Sequence, residues 1–329
     1  MVAGKKARAL CLISGGLDSL LAVKVLEEQG IEAVGISFES PFFSAANARK
    51  GATQLGIELI VTDITDEAMA LVRNPPHGFG KQMNPCIDCH TLMVRKAGER
   101  MQREGFDFLA TGEVLGERPM SQNRQSLDVV ARDSGFGEFL LRPLSAKLLP
   151  PTRPETTGLV DRERLLSIEG RSRRPQMALA EKYGINEYVQ PAGGCLLTDP
   201  AFSKRLREIL SREPHASARD ARMLKLGRHF RLPSGAKAIV GRDKDDNEKI
   251  VAAAQADEIL IVSDITPGPA VLLMHSSSKD DIDTAARLCA SFSDSEGREV
   301  EMAVRRCREE GRIKAAPLPR REFDVMRIG

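Results

Sequence analysis

Two groups of residues in this sequence have types and spacings suited to chemistry. The first is the hexapeptide Ser14-Gly15-Gly16-Leu17-Asp18-Ser19. Paired glycines let the backbone come close to a ligand, and a helix starting there aims successive N–H groups at negative charge, as a phosphate site requires. Ser14 and Ser19 add hydroxyls. Asp18 suits an anion site only if a divalent cation stands between carboxylate and phosphate, so Mg²⁺ is expected with the ligand. The second group is sulfur: Cys86 and Cys89 form CxxC, and Cys195 stands far along the chain in a Gly-Gly-Cys turn. A structural zinc would need Cys195 and His90 or another residue to complete four ligands. A redox dithiol belongs on a thioredoxin-like pattern. An iron–sulfur cluster on three thiolates would leave one iron open. Spacing alone does not choose among them. Cys11, Cys289 and Cys307 sit in apolar strand or helix patterns and are expected to be buried structural thiols.

The elements that position these groups follow from hydrophobic periodicity. Residues 9–13, 32–38 and 57–62 are short apolar runs alternating with helical patterns at 17–29, 44–54 and about 65–73, the signature of a doubly wound parallel sheet. Ligands of such sheets bind at the carboxyl ends of the strands, which makes Ser37 and Phe38 candidates to border a nucleotide. Residues 73–85 form a long loop dense in Pro, Gly and Asn, of a length that is more often functional than connective. A helix is expected from about Cys89 to Glu104, then a strand at 106–111 leading into Gly112, and a helical stretch at 122–132. The proline-rich segment 139–155 is expected to break regular structure. Residues 161–189 hold helical patterns with a basic run at Arg171, Arg173 and Arg174, ending at Gln190-Pro191-Ala192-Gly193-Gly194-Cys195. Past residue 200 the pattern changes to helices, a hairpin at 229–242, and strands at 258–263, 270–275, 299–304 and 312–316. The expected organisation is a catalytic domain over 1–200 and a smaller α+β domain over 201–329.

Bulk composition narrows the class. A chain of 329 residues with 42% hydrophobic and 29% charged residues has room for two cores. Its 48 basic and 46 acidic residues nearly cancel, so any nucleic-acid surface must be a local patch. No apolar run approaches membrane-span length, and Lys5 and Lys6 precede an apolar stretch too short for a signal peptide. A cytoplasmic protein with no membrane partner is expected, and six cysteines in that setting argue against a disulfide framework.

The Ser14–Ser19 hexapeptide resembles the SGGxDS loop of the PP-loop ATP pyrophosphatases, the adenine nucleotide alpha hydrolase-like enzymes that split ATP into AMP and pyrophosphate. Together with MNPCIDCH (83–90), TGEVLGERPMSQ (111–122), LLRPLSAKLLPPT (140–152) and GGCLLTDP (193–200), it resembles the iron–sulfur-dependent tRNA thiouridine synthetases, closest to a 4-thiouridine-synthetase-like group. The segment 225–250 more loosely resembles the RNA-binding part of the NFACT proteins. The resemblance implies that a tRNA uridine oxygen attacks the α-phosphorus of ATP, and that sulfide on the open iron of a [4Fe-4S] cluster then displaces AMP. It implies nucleotide contacts from Ser14, Gly15, Gly16, Asp18, Ser19 and Gly112, cluster ligation by Cys86, Cys89 and Cys195, and phosphate contacts from Arg118, Arg142, Lys147 and the Arg171–Arg174 run. 4-Thiouridine is favoured over 2-thiouridine. The sulfur donor would be sulfide or a carrier, with a homodimer as one possible assembly. The competing readings are an amide-forming PP-loop ligase with structural zinc and a non-catalytic RNA-binding module.

Overall fold

The computed structural model describes residues 6–189, 194–276, 278–307 and 309–329; Gln190-Pro191-Ala192-Gly193, ahead of Gly194 and Cys195, lie outside them. The chain divides into two compact units, Met1–Asp199 and Pro200–Gly329.

The first unit runs β1 (Arg8–Leu12), α1 (Leu17–Glu27), β2 (Glu32–Glu39), α2 (Ala46–Leu55), β3 (Leu59–Asp63), α3 (Thr65–Arg73), α4 (Cys86–Glu104), β4 (Phe108–Thr111), α5 (Arg124–Ser134), β5 (Leu140–Leu141), α6 (Arg153–Thr156) and α7 (Arg174–Tyr183). Its five strands are all parallel, in the order β3-β2-β1-β4-β5. Alternation along each strand divides the core between the two faces. Ala9, Cys11 and Ile13 pack with Leu17, Leu20 and Leu21 of α1. Leu10, Val34, Ile36 and Phe38 pack with Val94 and Ala97 of α4 and Val130 of α5. This is the doubly wound α/β architecture expected of a PP-loop domain.

The strand order determines where a ligand can enter. From β1 the chain winds outward to β2 and β3, then returns to place β4 on the other side of β1. Connections leaving β1 and β4 therefore diverge, and the crevice outside their carboxyl ends is the switch point where such sheets take ligands. The loops leaving these two strands nearly touch. A Cβ on Gly112 would stand 2.4 Å from both Asp18 C and Ser19 N, so only glycine permits that approach. Gly15 is constrained twice over: its φ is +79°, and a Cβ there would meet Asn47 O at 2.3 Å.

Three elements depart from expectation. α4 starts at Cys86 rather than Cys89, its first turn closed by Cys89 N donating to Pro85 O at 2.9 Å, so both thiols ride on that turn. The segment 139–155 does contain a strand: Leu140 and Leu141 pair with Leu109 and Ala110. Over 161–189 the regular structure is α7 and a single 3₁₀ turn at Arg162–Arg164. α7 lies parallel to α1. Lys182 and Tyr183 at its C-terminal end donate to the Glu28 carboxylate just past α1, at 2.6 and 2.8 Å.

The second unit carries α8 (Pro200–Arg212), α9 (Ala218–Met223), β6 (Arg228–Arg231), β7 (Lys237–Val240), α10 (Lys244–Ala253), β8 (Ile259–Val262), β9 (Val271–Met274), α11 (Lys279–Ser291), β10 (Val300–Arg306), β11 (Glu309–Ala315) and β12 (Arg327–Ile328). It is an α+β unit whose antiparallel sheet runs β11-β10-β8-β9-β7-β6-β12. α11 covers one face, and α9 and α10 cover the other. Cys11 and Cys289 are buried as expected, but Cys307 is exposed, with φ +52° after the end of β10; a turn, not an apolar strand, holds it. Among the described residues no helix is long and apolar enough to cross a membrane.

The Gly112 approach has a direct test. Gly112→Ala forces backbone apart in a packed interior and should cost about 1–3 kcal/mol or more, read as a lowered urea midpoint at unchanged m-value. A variant as stable as the parent would show that the two loops are not in close register.

Candidate active site

The Ser14–Ser19 loop is organised by its own hydroxyls. Ser14 Oγ accepts from Gly16 N at 3.2 Å, and Ser19 Oγ donates to Gly16 O at 2.7 Å. Gly16 caps α1 with no side-chain hydrogen bond, and of the first turn Ser19 N donates back to Gly16 O at 3.1 Å, so no side chain of the cap competes for the remaining N–H groups. Val189, beyond α7, donates its N–H to Gly15 O at 3.2 Å and closes the loop from the other side.

Asp18 begins this helix in a mixed-charge environment. Burial pushes its carboxyl above the usual range, and Arg173 and Arg118 pull in the opposite direction. Its Oδ1 is buried without a hydrogen-bond partner. Glu117 is raised too, by burial first and then by the charge of Asp18. Two acids disfavouring their charged forms at one mouth are what a divalent cation would reverse.

Ser37 and Phe38 end β2 beside β1, both buried. Phe38 packs its ring in the core on the α4 side; Ser37, by alternation, faces the α1 side.

Cys195, distant in sequence, lies close enough to the Cys86–Cys89 pair for charge to act between them. Burial first, then the charges of Cys195, Cys86 and Asp88, hold the Cys89 thiol well above its usual range. Burial pushes Cys195 up to about 11, with the charge of Cys86 adding to it. Asn84 Nδ2 donates to Cys86 Sγ at 3.1 Å while Asn84 Oδ1 accepts from Gln82 N, so one side chain shapes the loop and holds a sulfur. The same loop is anchored by His77, whose N–H and ring Nδ1 both meet the Asp88 carboxylate, at 3.1 and 2.7 Å. Leu196 N donates to Phe42 O at 3.0 Å, which ties the Cys195 turn to the carboxyl end of β2. Among the described residues no three His, Cys, Asp or Glu side chains stand at distances that would hold a single metal ion.

Glu113 connects the sulfur group to the loop. It follows Gly112 directly, and its carboxylate is only 8% exposed. His90 Nδ1, next to Cys89, lies 2.8 Å from Oε1; Arg142 Nε donates to Oε2 at 2.8 Å, and Thr111 Oγ1 donates there at 3.1 Å. Arg142, expected at a phosphate, is instead buried against Glu113 and Leu127 O. Lys147 is similarly tied to Glu163. Of the basic run, Arg173 is half-buried near Asp18 while Arg171 and Arg174 are exposed. Sequence reasoning passed over Asn84, Glu113, Glu117 and Gln176; only the Gly112-Glu113 pair ending a strand carried a usable signal. A cavity of about 390 Å³ lies between α5 and the proline loop, lined by Arg142 together with Asp128 and Arg153.

Comparison with known proteins places these features in a family context. Residues 4–147 match the family model described as thiamine biosynthesis protein (ThiI), and residues 227–325 match the NFACT protein RNA binding domain. The tRNA-specific 2-thiouridylase MnmA of Parvibaculum lavamentivorans is 29% identical over 184 residues, 47% of this chain and 45% of that protein. MnmA 3 of Bacteroides fragilis is 34% identical over 111 residues, 32% of this chain and 31% of that protein. The chain thus spans less than half the length of these curated relatives. A crystal structure of a 4-thiouridine synthetase–RNA complex with bound ATP aligns at a TM-score of 0.36 and 18% identity, over 67% of this chain and 52% of that one.

The Glu113 network has a pH signature. Burial alone would raise its carboxyl; Arg142 and then His90 outweigh this and hold it well below the usual range. A folded value below the unfolded value, about 4.3, means stability that is present at neutral pH and lost as pH falls through the acid range. Glu113→Gln should flatten the rise of stability between about pH 3 and 5. Arg142→Leu, which leaves the carboxylate buried and unpaired, should cost about 3–5 kcal/mol at neutral pH. An unchanged acid slope in the first variant would contradict this account.

Proposed function

We propose that this chain, whose residues 4–147 match the ThiI family model, is an ATP-dependent tRNA sulfurtransferase. The uridine carbonyl oxygen attacks the α-phosphorus of ATP, the bond to pyrophosphate breaks, and the oxygen becomes part of an AMP leaving group. Sulfide then adds to the same ring carbon and AMP departs with the oxygen. The observation that supports this best is the short route between the sulfur group and the Ser14–Ser19 loop beyond the carboxyl ends of β1 and β4. The charge of Cys86 acts on both Cys89 and Cys195, and that of Cys195 on Cys89, and His90–Glu113–Gly112 leads from them to Asp18.

The chain's own groups suit the first step. The uncapped start of α1 and the Ser14–Ser19 backbone would receive the phosphates, and preorganised donors of this kind stabilise a departing pyrophosphate. The unpartnered Asp18 Oδ1 fits a carboxylate awaiting Mg²⁺. Ser37 would border the nucleotide from the end of β2, with Phe38 bracing it from the core, and Gly112 would serve by admitting the loop rather than by touching the ligand.

The three thiols would serve as the protein ligands of a [4Fe-4S] cluster. Each would bind its own iron, so the sulfurs need not converge on the single point that a zinc ion demands. Such a cluster would supply an iron with an open position for sulfur. The Asn84 N–H pointing at Cys86 Sγ is of the kind that adjusts a thiolate's charge. We favour the C4 position of uridine on the ThiI match; the MnmA relatives carry the name of C2 enzymes.

For tRNA the second unit offers a basic patch. The guanidinium groups of Arg228 and Arg320 both lie over the Phe292 ring, at 5.1 and 4.9 Å from its centroid. After burial, the charges of Arg320, Arg327 and Arg242 lower the Arg228 pKa. Like charges this close, on a unit matching an RNA-binding family, suit the phosphates of RNA.

The test is nucleoside analysis of tRNA from a strain lacking the protein, complemented by parent or variant chains. Thiouridine should vanish in the deletion, return with the parent, and stay absent with Cys86→Ala, Cys89→Ala or Cys195→Ala. An unaltered thionucleoside profile in the deletion would remove the tRNA assignment. In a separate binding assay, Arg320→Ala should lower the salt slope of RNA affinity by about 1; an unchanged slope excludes the patch.

A further inference from the structure

α7 brings polar groups to the nucleotide loop that no hydrogen bond in the described chain uses. Gln176 is 0% exposed, yet neither Oε1 nor Nε2 of its amide has a partner; Arg173 Nε and Asp18 Oδ1 are also buried and partnerless. Buried polar atoms in folded proteins are nearly always satisfied, so four from three neighbouring residues point to a partner that the protein chain itself does not supply. The Gln176 amide lies close enough to the Asp18 carboxylate to pull its pKa down against the effect of burial.

The placement of this group is built in. Gly170 N donates to Leu115 O at 2.7 Å just ahead of α7, and Val189 N donates to Gly15 O at 3.2 Å beyond it. The far end of α7 is held by Glu28. Arg173 and Gln176 are thus set against the start of α1 by contacts on both sides.

The chemistry of the orphaned atoms selects the ligand. Arg173 Nε and Gln176 Nε2 are donors and need an acceptor; Asp18 Oδ1 and Gln176 Oε1 are acceptors and need a donor or a cation. A bare oxyanion would satisfy only the first pair, and a bare cation only the second. A metal–nucleotide complex satisfies both, through phosphate oxygens and the water shell that Mg²⁺ retains.

We propose that Arg173 is a phosphate-binding residue of the nucleotide site and that Gln176 is a positioning residue, bridging the Asp18 carboxylate to the hydrated cation of the bound nucleotide. This rests on the ATP-using reading above, and it takes Arg173 out of the tRNA-facing run, leaving Arg171 and Arg174 for that role.

The experiment is calorimetric titration of the full chain with ATP, with and without Mg²⁺, alongside thermal unfolding of each variant. Arg173→Ala should weaken ATP binding about tenfold or more, as loss of a charge-assisted hydrogen bond does, and Arg173→Lys should recover most of it. Gln176→Leu, close in volume, should bind metal-free ATP within about threefold of the parent, while the gain in affinity on adding Mg²⁺ falls about tenfold. A purely packing role would leave that gain intact and the unfolding midpoint equal or higher. Gln176→Asn, which keeps an amide but shortens it, should show the same loss of the Mg²⁺ effect if the leucine variant does not fold. The inference is overturned if folded Gln176 variants retain the full Mg²⁺ gain, or if Arg173→Ala lowers tRNA affinity and leaves ATP affinity unchanged. A parent chain that binds no ATP would overturn this and the functional reading together; a parent that binds, with variants that match it, would overturn this inference alone.

Discussion

A single buried carboxylate ties the first unit together. Glu113 stands one residue beyond the glycine that lets β4 approach the Ser14–Ser19 loop, and it meets both Arg142 and His90. Removing a carboxylate from water is costly unless its partners are well placed, and these are. Cys89 precedes His90 on α4, so the position of the thiols and the position of the loop are both referred to the same two oxygens.

Around that constraint the site is poised rather than satisfied. Burial pushes Asp18 and Glu117 towards their neutral forms, and the charge of Asp18 adds to the shift at Glu117, with Arg118 and Arg173 opposing at both. Cys89 and Cys195 are held towards the protonated thiol. Each of these shifts opposes charge separation that a bound cation, nucleotide or metal cluster would favour, and metal binding to such thiols releases protons. The polar groups are arranged for company they do not yet have, which is how functional sites commonly depart from the rules that the rest of a fold obeys.

Much of this was legible in the residues. The Ser14–Ser19 hexapeptide between an apolar run and a helical pattern identified the first βα turn, and period-two and helical patterns located most strands and helices. β5 was not legible because two residues before a proline carry no period, though they complete the sheet. The basic run at 171–174 looked uniform, since a helix start does not say which arginine turns inward; only packing against α1 singles out Arg173. Gln176 left no trace at all, because an amide after a proline is an ordinary surface residue until the fold buries it. Arg142 read as a phosphate ligand for the opposite reason: its partner Glu113 is distant in sequence, and a long-range ion pair leaves no local pattern.

The central claim is that the sulfur group and the nucleotide loop form one site. Electron paramagnetic resonance of anaerobically purified, reduced protein, recorded before and after adding ATP with Mg²⁺, tests it most directly. The account expects a cluster signal whose shape changes when nucleotide occupies the loop. A protein without iron, or a cluster signal indifferent to saturating ATP, would contradict it.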